Sequence, residues 1–240
     1  MNKPKQAMVA AAGLGSRMRP LTNDKPKALV RLAGKTLIDH QLDRLAASGV
    51  QKAVVNVHHF AEQLQSHLQT RAGLPQICIS NEREQLLETG GGLLKASKHL
   101  DQKPFFVMNV DAVWSGHETA LDELAQSMAK QDDALAVLLL AKKDQSLGLN
   151  TAGDFHMDKA GRLRRLEPGE TSNWYYAGVQ IFDPALMQGF KVERFSTNLF
   201  WDLALTQNRL FGLELQGFWM HVGDPKSLQQ AEIKLRDASK

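Results

Sequence analysis

The sequence predicts an α/β fold: a mixed, mostly parallel sheet flanked by helices. Two observations carry that expectation. Apolar strand-like runs alternate with amphipathic stretches, the pattern of βαβ units. Three polar motifs follow the ends of such runs, and ligands of parallel sheets bind beyond the carboxyl ends of the strands. The chain has 240 residues, 43% of them hydrophobic, enough for one large domain with a sizeable core. A net charge of +3 is too small to point to nucleic acid. The lone cysteine, Cys78, lies in an apolar run and reads as a core residue. No apolar leader opens the chain, and no run approaches the roughly 18 apolar residues of a membrane span. A soluble cytoplasmic protein with no membrane partner is expected.

Residues 7–10 are the first buried strand, followed by a loop rich in Gly, Arg and Lys up to Lys27. Residues 28–32 read as a short extended piece. Residues 37–48 put Ile38, Leu42 and Leu45 on one helical face, with Gly49 as the stop signal. Residues 53–57 form the next strand and 61–68 the next helix. Residues 77–80 are a third strand, leading through the Gly-rich turn Glu88-Thr89-Gly90-Gly91-Gly92 into a helix with Leu93, Leu94 and Ala96. Residues 104–108 are a fourth strand, ending at Asn109-Val110-Asp111. Residues 121–129 are helical, and 134–141 are a fifth strand. Beyond it the runs shorten: 153–157, 163–166 and 176–182 read as shorter, partly antiparallel strands. Residues 196–206 are an amphipathic helix with Ser196 as N-cap. Residues 210–215 and 218–222 are extended, and a last helix runs to about residue 236. No linker interrupts the chain, so one domain is expected.

The loop after the first strand carries the clearest chemistry. Gly13 and Gly15 allow positive φ and let a ligand approach bare backbone, while Arg17, Arg19, Lys25 and Lys27 supply charge. The simplest reading is a polyphosphate cradle. A Walker loop is excluded because G-x-x-x-x-G-K-[ST] is absent. A dinucleotide fingerprint is excluded because Met18 stands where its third glycine belongs. His58 and His59 are adjacent, and neighbouring side chains on a strand point to opposite faces, so the pair is read as incidental.

Gly13-Leu14-Gly15-Ser16-Arg17-Met18-Arg19-Pro20-Leu21-Thr22 with Pro26-Lys27 resembles the signature of the sugar-1-phosphate nucleotidyltransferases, G-x-G-[ST]-R-[LM]-x-P-x-T…P-K. The resemblance extends over nearly the whole chain, through Gly34-Lys35-Thr36-Leu37-Ile38, Glu88 to Gly92, Asn109-Val110-Asp111, Tyr176-Ala177-Gly178-Val179 and Trp219-Met220-His221-Val222-Gly223. It implies a Rossmann-like fold of the nucleotide-diphospho-sugar transferase type. About residues 1–140 would be the nucleotide-binding half and about 141–240 the sugar-phosphate-binding half. Two branches resemble the chain most: the bacterial N-acetylmuramate-1-phosphate uridylyltransferases of cell-wall recycling, and the mannose-1-phosphate guanylyltransferase-like group. The compact chain, with no added left-handed β-helix, favours the first, and with it UTP.

The reaction implied is NTP plus sugar 1-phosphate giving NDP-sugar and pyrophosphate, by in-line attack of the sugar phosphate on the α-phosphorus. Such catalysis is positioning plus charge stabilisation, which explains cations and glycine N–H groups in place of a nucleophile and base. By resemblance, Arg17 stabilises the departing pyrophosphate, and Lys27 contacts the α-phosphate and the incoming phosphate. Ala12, Gly13 and Gly15 hold the triphosphate and ribose. Gly90 and Gly91 sit against the base with Glu88 nearby. Glu167, Tyr176 and Gly178 contact the sugar phosphate. Asp111 binds Mg²⁺, or Mn²⁺ in its place. A monomer or small homo-oligomer is expected.

Three departures from the family pattern stand out. The usual P-K-P is Pro26-Lys27-Ala28, and the usual G-D is Val110-Asp111. The second metal-binding Asp of W-x-D-x-G is replaced by His221. Three arrangements follow: Asp111 holds Mg²⁺ with phosphates and water, His221 ligates a softer metal, or Asp224 takes part. The favoured one is a site centred on Asp111 with His221 close to it. Val110 and His221 also motivate an alternative, a nucleotide-sugar-binding regulatory protein with impaired catalysis.

Overall fold

The computed structural model describes residues 3–238, so Met1, Asn2, Ser239 and Lys240 lie outside it. The chain opens with β1 (Gln6–Ala10), whose Ala7 and Val9 join the core on one face of the sheet while Met8 joins that on the other. The loop that follows is pinned by 3₁₀ turns at Ser16–Met18 and Lys27–Leu29. The second turn occupies the first half of the piece expected to be extended. Pro26 leads into it, and the Lys27 carbonyl accepts the Val30 N–H at 3.0 Å. A small hairpin, β2 (Arg31–Leu32) and β3 (Lys35–Thr36), delivers the chain to α1 (Leu37–Ala47), where the Thr36 hydroxyl accepts the Asp39 N–H as an N-cap.

Next come β4 (Lys52–Val57), α2 (Ala61–Gln69), β5 (Gln76–Asn81), α3 (Glu88–Ser97) and β6 (Phe105–Asn109). The glycines expected in a turn before α3 lie inside its first turns. β7 (Ala112–Ser115), which the sequence pattern does not reveal, precedes α4 (Ala120–Lys130) and β8 (Ala136–Lys142). Short strands follow: β9 (Ser146–Leu147), β10 (Phe155–Met157) and β11 (Leu163–Arg165), then the long β12 (Trp174–Phe182). α5 (Asn198–Thr206) is capped at Thr197, one residue past the expected Ser196, whose hydroxyl still accepts the Asn198 N–H at 3.2 Å. β13 (Leu210–Glu214), β14 (Phe218–His221) and α6 (Pro225–Ala238) complete the chain.

The main sheet has nine strands. β5, β4, β1 and β6 run parallel side by side. β12 pairs antiparallel with both β6 and β8, and β13 lies parallel to β8. Only β12 and β11 run against the other seven, so the sheet is mixed and mostly parallel. Its two faces carry two apolar cores. One lies under α1, α2 and α4, and the other under α3 and α5. A second sheet, β7-β14-β9, sits beside the end of β6, and its register pairs His221 with Ala112. That pairing brings the C-terminal part of the chain to Asp111.

Candidate active site

The polar motifs converge at the carboxyl ends of β1 and β6, around a cavity of about 700 Å³. Its floor begins where β1 ends. The Ala11 and Ala12 N–H groups both donate to Asn56 Oδ1, at 2.7 and 3.2 Å. Gly15 then turns the chain with φ +64°, and its carbonyl accepts the Thr22 hydroxyl at 2.8 Å. A Cβ at Gly15 would lie 3.1 Å from both Lys27 and Thr22 carbons, so the turn is folded tightly onto the segment that carries the lysine. Ala12, Gly13, Gly15, Arg17 and Lys27 all line the cavity, as the signature implies.

Lys27 Nζ lies 2.5 Å from Asp111 Oδ2, and both side chains are largely buried. His221 Nδ1 is 3.9 Å from the same oxygen. Burial pushes the Asp111 carboxyl up, but the Lys27 charge and hydrogen bond outweigh it and hold the group below the usual range. Burial lowers His221, and Lys27 and Arg17 add to the effect against Asp111, so the imidazole is held neutral with a ring nitrogen free to ligate. Asp224 caps α6, its carboxylate accepting the Ser227 N–H at 2.9 Å, and it lies near enough to His221 to act on its charge. Among the described residues, no group of three or more His, Cys, Asp and Glu side chains is placed to hold a metal ion by itself.

The opposite wall is the start of α3. Glu88 and Thr89 line the cavity, Glu88 in the left-handed region at φ +59° and paired with Arg194 at 2.9 Å. Gly90 and Gly91 do not line it. Their N–H groups donate to the Phe195 carbonyl, at 2.9 and 3.2 Å, which satisfies donors that a helix start leaves free. A Cβ on Gly90 would meet the Phe195 ring at 2.5 Å, and one on Gly91 the Glu193 carbonyl at 1.9 Å. These glycines admit a strap, residues 193–197, that places Ser196 at the cavity edge.

Beside this cavity lies a smaller one of about 160 Å³, bordered by Tyr176, whose ring is 4.8 Å from that of Trp201. Burial and the Asp111 charge push the Tyr176 phenol upward, so it stays protonated. Gly178 sits at a bulge of β12 with φ +75°, where a Cβ would lie 2.6 Å from that of Ala112. It lets β12 pass close to the Asp111 turn. Glu167 is not brought to either cavity. It lies in an exposed turn, its N–H donating to Glu170 at 2.8 Å.

Three buried polar residues escaped the sequence reading. Gln41, on the apolar face of α1, donates to the Ala112 carbonyl at 2.8 Å and the Val110 carbonyl at 3.4 Å, on either side of Asp111. Asn56 interrupts an otherwise apolar strand, and Glu82 follows β5. The Asn56 amide donates to Glu82 at 2.8 Å, and burial raises the Glu82 carboxyl. A polar side chain inside an apolar pattern was the available signal for Gln41 and Asn56. Glu82 carried none.

The nucleotidyl transferase family matches residues 6–238. An N-acetylmuramate α-1-phosphate uridylyltransferase of Caulobacter vibrioides is 44% identical over 98% of this chain and 98% of its own length. A mannose-1-phosphate guanylyltransferase catalytic subunit beta of Danio rerio is 29% identical over 92% of this chain, which spans 62% of that protein. Among solved structures, a UDP-glucose pyrophosphorylase in complex with UDP-glucose superposes with TM-score 0.80 at 14% identity, covering 98% and 99% of the two chains. The inositol-1-phosphate CTP transferase of T. maritima superposes with TM-score 0.74 at 17% identity, covering 98% and 97%. Signature, fold and cavity agree with these matches: the chain belongs to the nucleotidyl transferase family.

Proposed function

We propose that the protein joins UTP to N-acetylmuramate 1-phosphate, releasing pyrophosphate, as a step of cell-wall recycling in the cytoplasm. The carrying observation is the end-to-end match, at 44% identity, to a uridylyltransferase with that acceptor. The guanylyltransferase relative is more distant and longer. No helix among the described residues is long and apolar enough to cross a membrane. The enzyme acts as a monomer or small homo-oligomer. The division of labour follows the sheet. Strands β1 to β6 and α3 hold the nucleotide, and β12 with the segments after it holds the acceptor.

In this reading the triphosphate lies along Ala12, Gly13 and Gly15. Arg17 neutralises the pyrophosphate as it leaves. Lys27, largely out of solvent beside Asp111, points its side chain to the junction of the two halves, where α-phosphate and incoming phosphate meet. Glu88, Gly90 and Gly91 shape the base side, the two glycines by seating the strap. Tyr176 and Gly178 bound the acceptor side, and Glu167 joins it only if its turn moves inward. The donor set fits a hard divalent ion: one carboxylate, Asp111, completed by substrate phosphates, is a usual way for Mg²⁺ to be held. The neutral imidazole of His221 beside it suits Mn²⁺ as well. When bound, the ion neutralises phosphate charge.

Purified protein assayed for pyrophosphate release over four NTPs and four acceptors (N-acetylmuramate, glucose, N-acetylglucosamine and mannose 1-phosphates) tests the reading. The highest kcat/KM is expected for UTP with N-acetylmuramate 1-phosphate. Preference for GTP with mannose 1-phosphate would overturn it.

A further inference from the structure

Two walls of the nucleotide cavity are joined by a pair of buried side chains, of which Asn56 also lines the cavity floor. At one end, Asn56 Oδ1 accepts both the Ala11 and the Ala12 N–H. At the other, Glu82 Oε2 accepts the Leu87 N–H, at 3.3 Å, just before the Glu88 and Thr89 wall. Asn56 Nδ2 donates to Glu82 Oε1 at 2.8 Å and closes the chain. Asn56 is 3% exposed and Glu82 0%. The two backbone donors fix which way the Asn56 amide faces.

We propose that Asn56 and Glu82 are a positioning pair that sets the separation of the phosphate loop from the α3 wall, and with it nucleotide affinity. The inference rests on the reading that a nucleoside triphosphate occupies this cavity. Its logic is donor arithmetic. The bridge must end on N–H donors at both sides. Asn56 relays, accepting at one end and donating at the other. Its partner must then accept at both ends, and only a carboxylate does so. This accounts for a fully buried Glu where a Gln would be less costly to desolvate. Gly92 supports the same geometry: a Cβ there would lie 2.8 Å from Glu82 Oε1 and 3.0 Å from Asn56 Nδ2, so α3 closes directly onto the pair.

The prediction is a swap. Glu82→Gln sets two donors against each other and strands one buried N–H, which should weaken UTP binding by about tenfold or more. Asn56→Asp sets two carboxylates face to face and should weaken it comparably. In the double variant, Asp at 56 accepts at both ends and Gln at 82 relays, so every bond is restored with the polarity reversed. UTP affinity by calorimetry, and the KM for UTP, should return to within about threefold of the parent. The KM for the sugar phosphate should stay within about twofold throughout, whereas general loosening would move both constants together. Glu82→Gln binding UTP like the parent, or a double variant no better than Asn56→Asp alone, would overturn the pair. If Glu82→Gln fails to fold, the comparison of Asn56→Asp with the double variant decides by the same criterion. A parent protein that binds no NTP would overturn the nucleotide reading itself, and the pair with it.

Discussion

At Lys27 two demands meet. Its ammonium, almost out of solvent, is held 2.5 Å from Asp111, and the proposed chemistry needs that charge on phosphate. Removing one donor aimed at developing charge typically costs about 3 kcal/mol in the barrier. Lys27→Met is therefore expected to lower kcat for pyrophosphate release by about a hundredfold, and also to lower the circular-dichroism melt, because Asp111 is left buried without its partner. A loss under about fivefold would remove Lys27 from the chemistry. Asp111 and His221 were legible because both stand in long motifs, and the β14–β7 register does bring them together. For His221→Asp, activity should be retained and the Mg²⁺/Mn²⁺ activity ratio should rise, since a second carboxylate suits the harder ion. An unchanged ratio would place His221 away from the ion. Gln41 was not legible as a holder of the Asp111 turn. Its acceptors, the Val110 and Ala112 carbonyls, lie about 70 residues further along the chain, and no local pattern encodes such a contact.

The start of α3 shows how an element can mislead. A Glu-Thr-Gly-Gly-Gly run reads as a turn because glycine is costly within a helix. Here the glycines are helical and are required by a strap more than 100 residues later in the chain, whose Phe195 carbonyl caps the helix in place of a side chain. Gly91→Ala would gain about 0.5–1 kcal/mol in helix propensity, but overpacking typically costs about 1–3 kcal/mol. With a backbone oxygen 1.9 Å from the new Cβ, the loss should prevail and lower the urea midpoint. A raised midpoint would mean that the strap is loose. On the other face, Arg71 clips α2 to α1 through Asp39 at 2.6 Å and Asp43 at 2.7 Å. Burial raises both carboxyls, but the Thr36 hydroxyl and Arg71 at Asp39, and Lys35 and Arg71 at Asp43, bring them below their ordinary values. Groups lowered on folding stabilise the protein above their unfolded pKa of about 4 and lose that contribution as pH falls through the folded value. Arg71→Ala should therefore cost about 1 kcal/mol at pH 7. The gap from the parent should close as pH drops below about 4. A gap that persists at low pH would make the Arg71 contribution one of packing.

Across the whole molecule, the alternating half is legible because β1, β4 and β6 are buried on both faces and so read as continuous apolar runs. The second sheet is not, since β7, β14 and β9 are short and pair over distances of about 70 to 110 residues. Yet it is this sheet, together with β12 crossing from β6 to β8, that ties the two halves into one structure. Because β1 and β12 share a sheet through β6, ligand held by the phosphate loop should stabilise both halves in a single transition. At a UTP concentration 100-fold above Kd, binding contributes about 2.7 kcal/mol. In a domain of this size that is a rise in Tm of about 5–10 °C. A nucleotide bound a hundredfold more weakly contributes only about 0.4 kcal/mol at the same concentration, a shift of about 1 °C. Calorimetric melts with UTP, CTP, GTP and ATP should thus rank UTP first by several degrees, each trace keeping one peak. Two peaks, of which only one moves with UTP, would show that the halves unfold separately and that the sheet does not carry the coupling. Equal shifts for UTP and GTP would leave the fold argument standing and remove the base preference.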